Sequence, residues 1–288
     1  MIVFGEDKYK PGLMELWKLC FPDDTDEFVR FYFDKVYKND ESLILFDKGQ
    51  AAAFLQMIPY PVKFDSHIAQ AGYISGAMTH PASRKKGYMQ QLLTEAFHIM
   101  QERAFAYTFL IPQEEWLFTF YGKYGYVPAF PQYESTVLIP DFHYSPQVTL
   151  LRDKSVRHFS SFLGLDLSDA YSVYYRFLTA KDRVVLKTPP HFSNILQDLF
   201  IDGGSLFFND WGILFALPGE DHVVVKEFFY FDGEIKNEFV KVLQQAYPGK
   251  ELLWINDPAT PFVSYKGMIK SFDNSPIDPF IYMSMMLD

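Results

Sequence analysis

The chain has 288 residues, enough for two domains, and 49% of them are hydrophobic, so it can bury a sizeable core. Its formal charge is −10, and residues 1–146 and 147–288 each carry 13 Lys/Arg against 18 Asp/Glu, so neither half has the basic excess of a nucleic-acid binder. A single cysteine, Cys20, excludes an internal disulfide and fits a reducing compartment.

No stretch approaches the ~20 apolar residues of a membrane span. The apolar run in MIVFGEDKYK is too short for a signal peptide. A soluble, cytoplasmic protein without a membrane or nucleic-acid partner is therefore expected.

Leu13, Leu16, Trp17, Cys20 and Phe21 recur at helical spacing, which puts Cys20 on a core face. Asp24-Thr25-Asp26-Glu27 resembles a capping box that opens a second helix through Tyr37. Ser42–Phe46 reads as a strand that turns at Asp47-Lys48-Gly49 into a second strand, Ala51–Ile58, ended by Pro59 and Pro61. Ile68–Thr79 is a further strand with Gly72, Ser75 and Gly76 inside it, and glycine in a strand marks a bulge or a close approach. Tyr88, Met89, Leu92, Leu93, Ala96, Phe97 and Met100 form the apolar stripe of a strong helix. A short strand at Ala106–Ile111, a helix near Glu114–Lys123 and strands to about Ile139 complete this half.

Pro140 and Pro146 bracket a linker, dividing the chain into 1–146 and 147–288. The second half is expected to hold helices near Arg157–Leu163, Ser168–Ala180 and Phe192–Phe200. A hairpin of Trp211–Leu217 with His222–Phe231, a helix near Glu234–Ala246, a strand at Leu252–Ile255 and a terminal strand Phe280–Leu287 follow. The two halves share a rough order of elements within a mixed α/β (α+β) fold class.

The chemistry concentrates at Thr79-His80-Pro81-Ala82-Ser83-Arg84-Lys85-Lys86-Gly87-Tyr88-Met89, where a strand ends and an amphipathic helix begins. The first turn of a helix offers unpaired N–H groups and partial positive charge, a ready site for a diphosphate. Arg84, Lys85 and Lys86 are the only three consecutive basic residues in an acidic chain. Cations at a helix N-terminus oppose its dipole, and a bound anion resolves that conflict. A solvated basic turn is the alternative for these residues.

The pattern Arg-x-x-Gly-x at Arg84–Tyr88, after a strand and opening a helix, is similar to motif A of the GNAT acetyltransferases. Met89 stands where that family usually has Gly or Ala, and in this the segment looks like the Eis-like branch. Phe120-Tyr121-Gly122-Lys123-Tyr124-Gly125-Tyr126 resembles the family's motif B. The resemblance implies two tandem GNAT-like domains, each a mixed, mostly antiparallel sheet flanked by helices. It implies acetyl-CoA as co-substrate, bound by Ala77, Met78, Thr79, Arg84, Lys85, Lys86, Gly87, Tyr88, Met89 and Gln90. It also implies Tyr121 as the acid for the leaving thiolate, and the C-terminal carboxylate, here Asp288, as a base. The half 147–288 resembles a degenerate copy, because Phe231-Asp232-Gly233-Glu234 carries two acids where a diphosphate would sit.

The acceptor is expected to be a primary amine on a small molecule or peptide, drawn by the acidic cluster Asp23, Asp24, Asp26 and Glu27 or held there only as helix caps. His80 is a second candidate base, with a turn-structuring role as its alternative. No His/Cys/Asp spacing suggests a metal, and none is expected. A non-catalytic acyl-CoA-binding or scaffold protein of the same fold is the competing reading. A tRNA-dependent aminoacyl transferase would want more positive surface. An oligomer is compatible with all of these.

Overall fold

The computed structural model describes residues 1–137, 155–255 and 262–286. They form two compact units, Met1–Ala129 with Lys266–Pro279, and Phe130–Tyr265 with Phe280–Asp288.

The first unit begins with β1 (Ile2–Phe4) and α1 (Lys10–Cys20), which has Pro11 in its first turn where a missing N–H removes no helical bond. Next comes α2 (Asp26–Phe31), whose cap Thr25 accepts a hydrogen bond from the Phe28 amide at 3.1 Å, and a π-helical turn carries it on through Val36. Then come β2 (Ser42–Asp47), β3 (Gln50–Phe64), β4 (His67–Thr79), α3 (Tyr88–Glu102), β5 (Tyr107–Leu110) and α4 (Glu115–Gly122).

Along β3, side chains alternate between two faces. Ala53, Leu55 and Met57 pack in one apolar cluster with Leu92, Leu93, Ala96 and Met100 of α3. Phe54 and Gln56 meet Phe33 and Tyr32 on the other face. The sheet is therefore a layer between α3 and the α1–α2 pair.

β3 does not stop at Pro59 as expected but runs to Phe64, still paired with β4 at Pro59↔Gly72 and Pro61↔Gln70. The two prolines are two residues apart, so both nitrogens lie on one edge. β2 lines that edge only from Gln50 to Gln56, so neither proline removes a bond from the β2 or β4 ladders. Met268–Ser271 of a late strand pairs with β5 and extends this sheet.

The second unit contains part of β6 (Val127–Val137), then β7 (Arg157–Phe159), α5 (Leu167–Thr179), β8 (Arg183–Val185), α6 (Pro189–Ile201), β9 (Ser205–Asn209), β10 (Gly212–Pro218), β11 (His222–Tyr230), α7 (Gly233–Ala246) and β12 (Glu251–Ile255). The late strand, β13 (Phe262–Ser271), completes the order. Its sheet runs β6, β12, β11, β10, β9, β7, and among the described residues only the β11–β12 pair of this run is parallel.

Arg157–Phe159 is an edge strand on β9 rather than a helix. Its Arg157 lies over the Phe208 ring at 4.1 Å, a contact with a strand that no local pattern encodes. Residues 280–286 form no strand, only a bridge between Tyr282 and Val184. Past the exposed Phe280, Ile281, Met283, Met285 and Met286 are instead buried in a core.

Candidate active site

β4 is built to leave an edge open. It pairs with β5 only over Ala71–Tyr73, opposite Tyr107–Phe109, while β3 follows it to Thr79. Beyond Tyr73, residues 74–79 have a strand on one side only, among the described residues. Within that stretch the β3–β4 register slips, and Gly76 and Ala77 have no partner on β3. Gly76 takes φ +57°, and an added Cβ would sit 2.7 Å from the Trp17 ring. A bulge at an open edge frees main-chain groups that an extended, amide-bearing ligand can use as a missing strand.

The basic turn follows. His80 Nδ1 accepts from the Ala82 amide at 3.2 Å and so caps the short 3₁₀ turn Pro81–Ser83. This engagement supports its structural role over that of a base. Arg84 Nε donates to the Thr79 carbonyl at 3.4 Å, and the half-buried Cys20 thiol reaches the same oxygen at 3.4 Å. Burial raises the Cys20 thiol above its usual range, with Arg84 opposing that shift. Lys85 adopts φ +65°, a left-handed conformation uncommon for a residue with a Cβ.

Gly87, at φ +78°, is the N-cap of α3, with no side-chain cap on the helix and no acid in its first turn. Arg84, Lys85, Lys86, Gly87 and Gln90 are exposed, and Met89 packs partly into the core under α3. That packing gives a physical reason for a bulky residue at a position where the resemblance has Gly or Ala.

One participant was not visible in the sequence. Asp47, at the end of β2, accepts a hydrogen bond from the Tyr88 hydroxyl at 2.8 Å and lies 3.6 Å from Lys86 Nζ. The Tyr88 hydrogen bond, and then Lys86, hold its carboxyl below the usual range. Only the packing of the hairpin against the start of α3 brings them together.

Tyr121 lies in α4, 6% exposed, with ring contacts to Phe120 and Tyr126 at 5.1 and 5.9 Å. It shares an apolar cluster with Ile74 of β4. Burial pushes its phenol well above the ordinary range, so the group stays protonated at neutral pH. Asp288 lies outside the described residues. In the acidic cluster, Asp24 accepts from Trp17 Nε1 at 2.6 Å and Asp26 pairs with Lys18 at 2.6 Å, so these two have structural partners.

In the second unit, the start of α7 is closed. Asp232 Oδ1 accepts from the Glu234 and Ile235 amides, both at 3.0 Å, and Glu234 adds an acid in the first turn. Among the described residues no group of His, Cys, Asp and Glu could hold a metal, and no helix is long and apolar enough to cross a membrane.

Comparison with known proteins fits this geometry. A family profile described as an acetyltransferase (GNAT) domain matches residues 4–129. Among solved structures, the chain is similar to a probable N-acyltransferase of Enterococcus faecalis V583, with 14% identity over 94% of this chain and 72% of that one, at a TM-score of 0.72. A GCN5-related N-acetyltransferase of Kribbella flavida matches with 14% identity over 95% and 71%, at 0.72. Eis1 of Mycobacterium abscessus matches with 12% identity over 95% and 74%, at 0.71. Identities this low speak for the fold alone. No curated protein matches in sequence.

Proposed function

We propose that this chain, whose residues 4–129 match an acetyltransferase (GNAT) domain profile, transfers an acetyl group from acetyl-CoA to a primary amine by direct attack on the thioester. The observation that carries this reading is the continuity of the open edge of β4 with the uncapped, cation-flanked start of α3. The diphosphate sits at the amides of Gly87, Tyr88, Met89 and Gln90, with Arg84, Lys85 and Lys86 around it. The pantetheine arm runs along Ala77, Met78 and Thr79, and main-chain N–H groups that face the open edge there polarise the thioester carbonyl.

The amine nitrogen attacks the carbonyl carbon, the C–S bond breaks, and its electron pair leaves on sulfur. Tyr121 supplies the proton that the thiolate takes up. A carboxylate, with Asp288 as candidate, removes the proton that the amine loses. The transferase domain is residues 1–146, while 147–288 is a degenerate copy that binds no CoA. The support for the second part is Asp232, which already fills the amides of its helix start.

Calorimetry checks the reading first. Acetyl-CoA is expected to bind at about micromolar affinity, about −8 kcal/mol, and an absence of heat at millimolar ligand ends the proposal. The burial of Tyr121 favours a second reading, an acyl-CoA-binding protein of the same fold without turnover. That reading predicts binding with no acetylated product across a panel of primary amines.

A further inference from the structure

Ser75 lies on the open stretch of β4, next to the bulged Gly76, and is 6% exposed. Its side chain reaches the face covered by α2 and its π-helical turn, where it joins a buried hydrogen-bonded chain. Tyr32 Oη is 3.0 Å from Ser75 Oγ and 3.0 Å from Gln56 Oε1. Gln56 Nε2 donates to the Val36 carbonyl at 3.0 Å and to Glu41 Oε2 at 3.1 Å. The Val36 carbonyl can only accept, so the amide orientation is set without reference to the charge on Glu41.

The chain therefore has one polarity. Gln56 Oε1 cannot donate, so it takes the single hydrogen of Tyr32. The Tyr32 oxygen is left as an acceptor, and the Ser75 hydrogen goes to it. Burial raises the Tyr32 phenol far above its ordinary range, which keeps that hydrogen in place at any working pH. Ser75 Oγ is thus a hydroxyl whose donor is spent and whose remaining capacity is to accept.

We propose that Ser75 Oγ determines acceptor specificity by taking an N–H of the incoming amine, with Tyr32, Gln56 and Glu41 as positioning residues that turn its hydrogen away. This inference depends on the acetyl-transfer reading. It assigns the acceptor class from the group that meets it: a nucleophile with a hydrogen to give.

The test compares wild type, Ser75→Ala, Ser75→Thr and Tyr32→Phe. Acetyl-CoA affinity is read by calorimetry. CoA release is read with 2-phenylethylamine, putrescine and lysine ethyl ester as probe amines. In Ser75→Ala the KM of the best amine is expected to rise about tenfold while the acetyl-CoA Kd stays within about twofold. Ser75→Thr, which restores the hydroxyl, returns KM to within about threefold of wild type, and Tyr32→Phe falls between the two. An unchanged amine KM in Ser75→Ala, or loss of acetyl-CoA binding equal to the loss for the amine, overturns this inference and leaves acetyl transfer standing. No acetyl-CoA binding by wild type, or binding without transfer to any of the three amines, overturns the acetyl-transfer reading and this inference with it.

Discussion

At Gly76 a single backbone angle shapes the open edge. With φ at +57° and Trp17 2.7 Å from where a Cβ would stand, Gly76→Ala meets both a conformational and a steric penalty. A loss of about 1–3 kcal/mol in unfolding free energy is expected, measured by urea titration. Arg84 is exposed, so Arg84→Glu should leave the fold intact and abolish acetyl-CoA binding by calorimetry. Tyr121→Phe should keep that binding and lower turnover by about 10²-fold, the ordinary scale of one general acid. Of these residues, Arg84 and Tyr121 were singled out as candidates by motif and spacing. Asp47, Ser75 and Tyr32 were not, because their roles arise from partners 41, 43 and 24 positions away in the chain.

At the scale of elements, two helix starts carry opposite chemistry. α3 opens on a glycine with cations before it, whereas α7 opens on its own carboxylate cap. The contrast was readable in sequence, because capping residues act within one turn. A third start, at α6, adds a pH dependence. Thr188 and His191 form a reciprocal capping box in which His191 Nδ1 accepts from the Thr188 amide. Burial, and then Lys187, lower the His191 pKa to about 3. An unfolded histidine titrates near ~6.5, so the unfolded state takes up a proton first as pH falls. The stability from this group is fully present above ~6.5 and is lost as pH drops toward 3. Thermal melts from pH 7 to 4 should fall less steeply for His191→Gln, which keeps an acceptor for the box but cannot protonate.

At the scale of the molecule, one open start and one closed start predict one CoA per chain, with a calorimetric stoichiometry near one. Apart from the far end of β3, the main helices and strands in residues 1–129 followed from periodicity and turn residues, because hydrophobic patterning there is local and strong. The late partner of β5 did not, since Met268–Ser271 reaches it from about 160 positions away. Likewise, Arg157–Phe159 carries no strand signal beyond the edge of β9 that receives it. The sequence alone determined the composition class, the order of elements around the basic turn, and the charge that makes Arg84–Lys86 stand out. Those features depend on neighbours within a few residues. Tertiary structure decided the early parting of β4 from β5, the Asp47 contact at the turn, and the single polarity of the chain ending at Ser75. Each of these is a meeting of distant side chains or strands, which packing creates and local pattern does not encode.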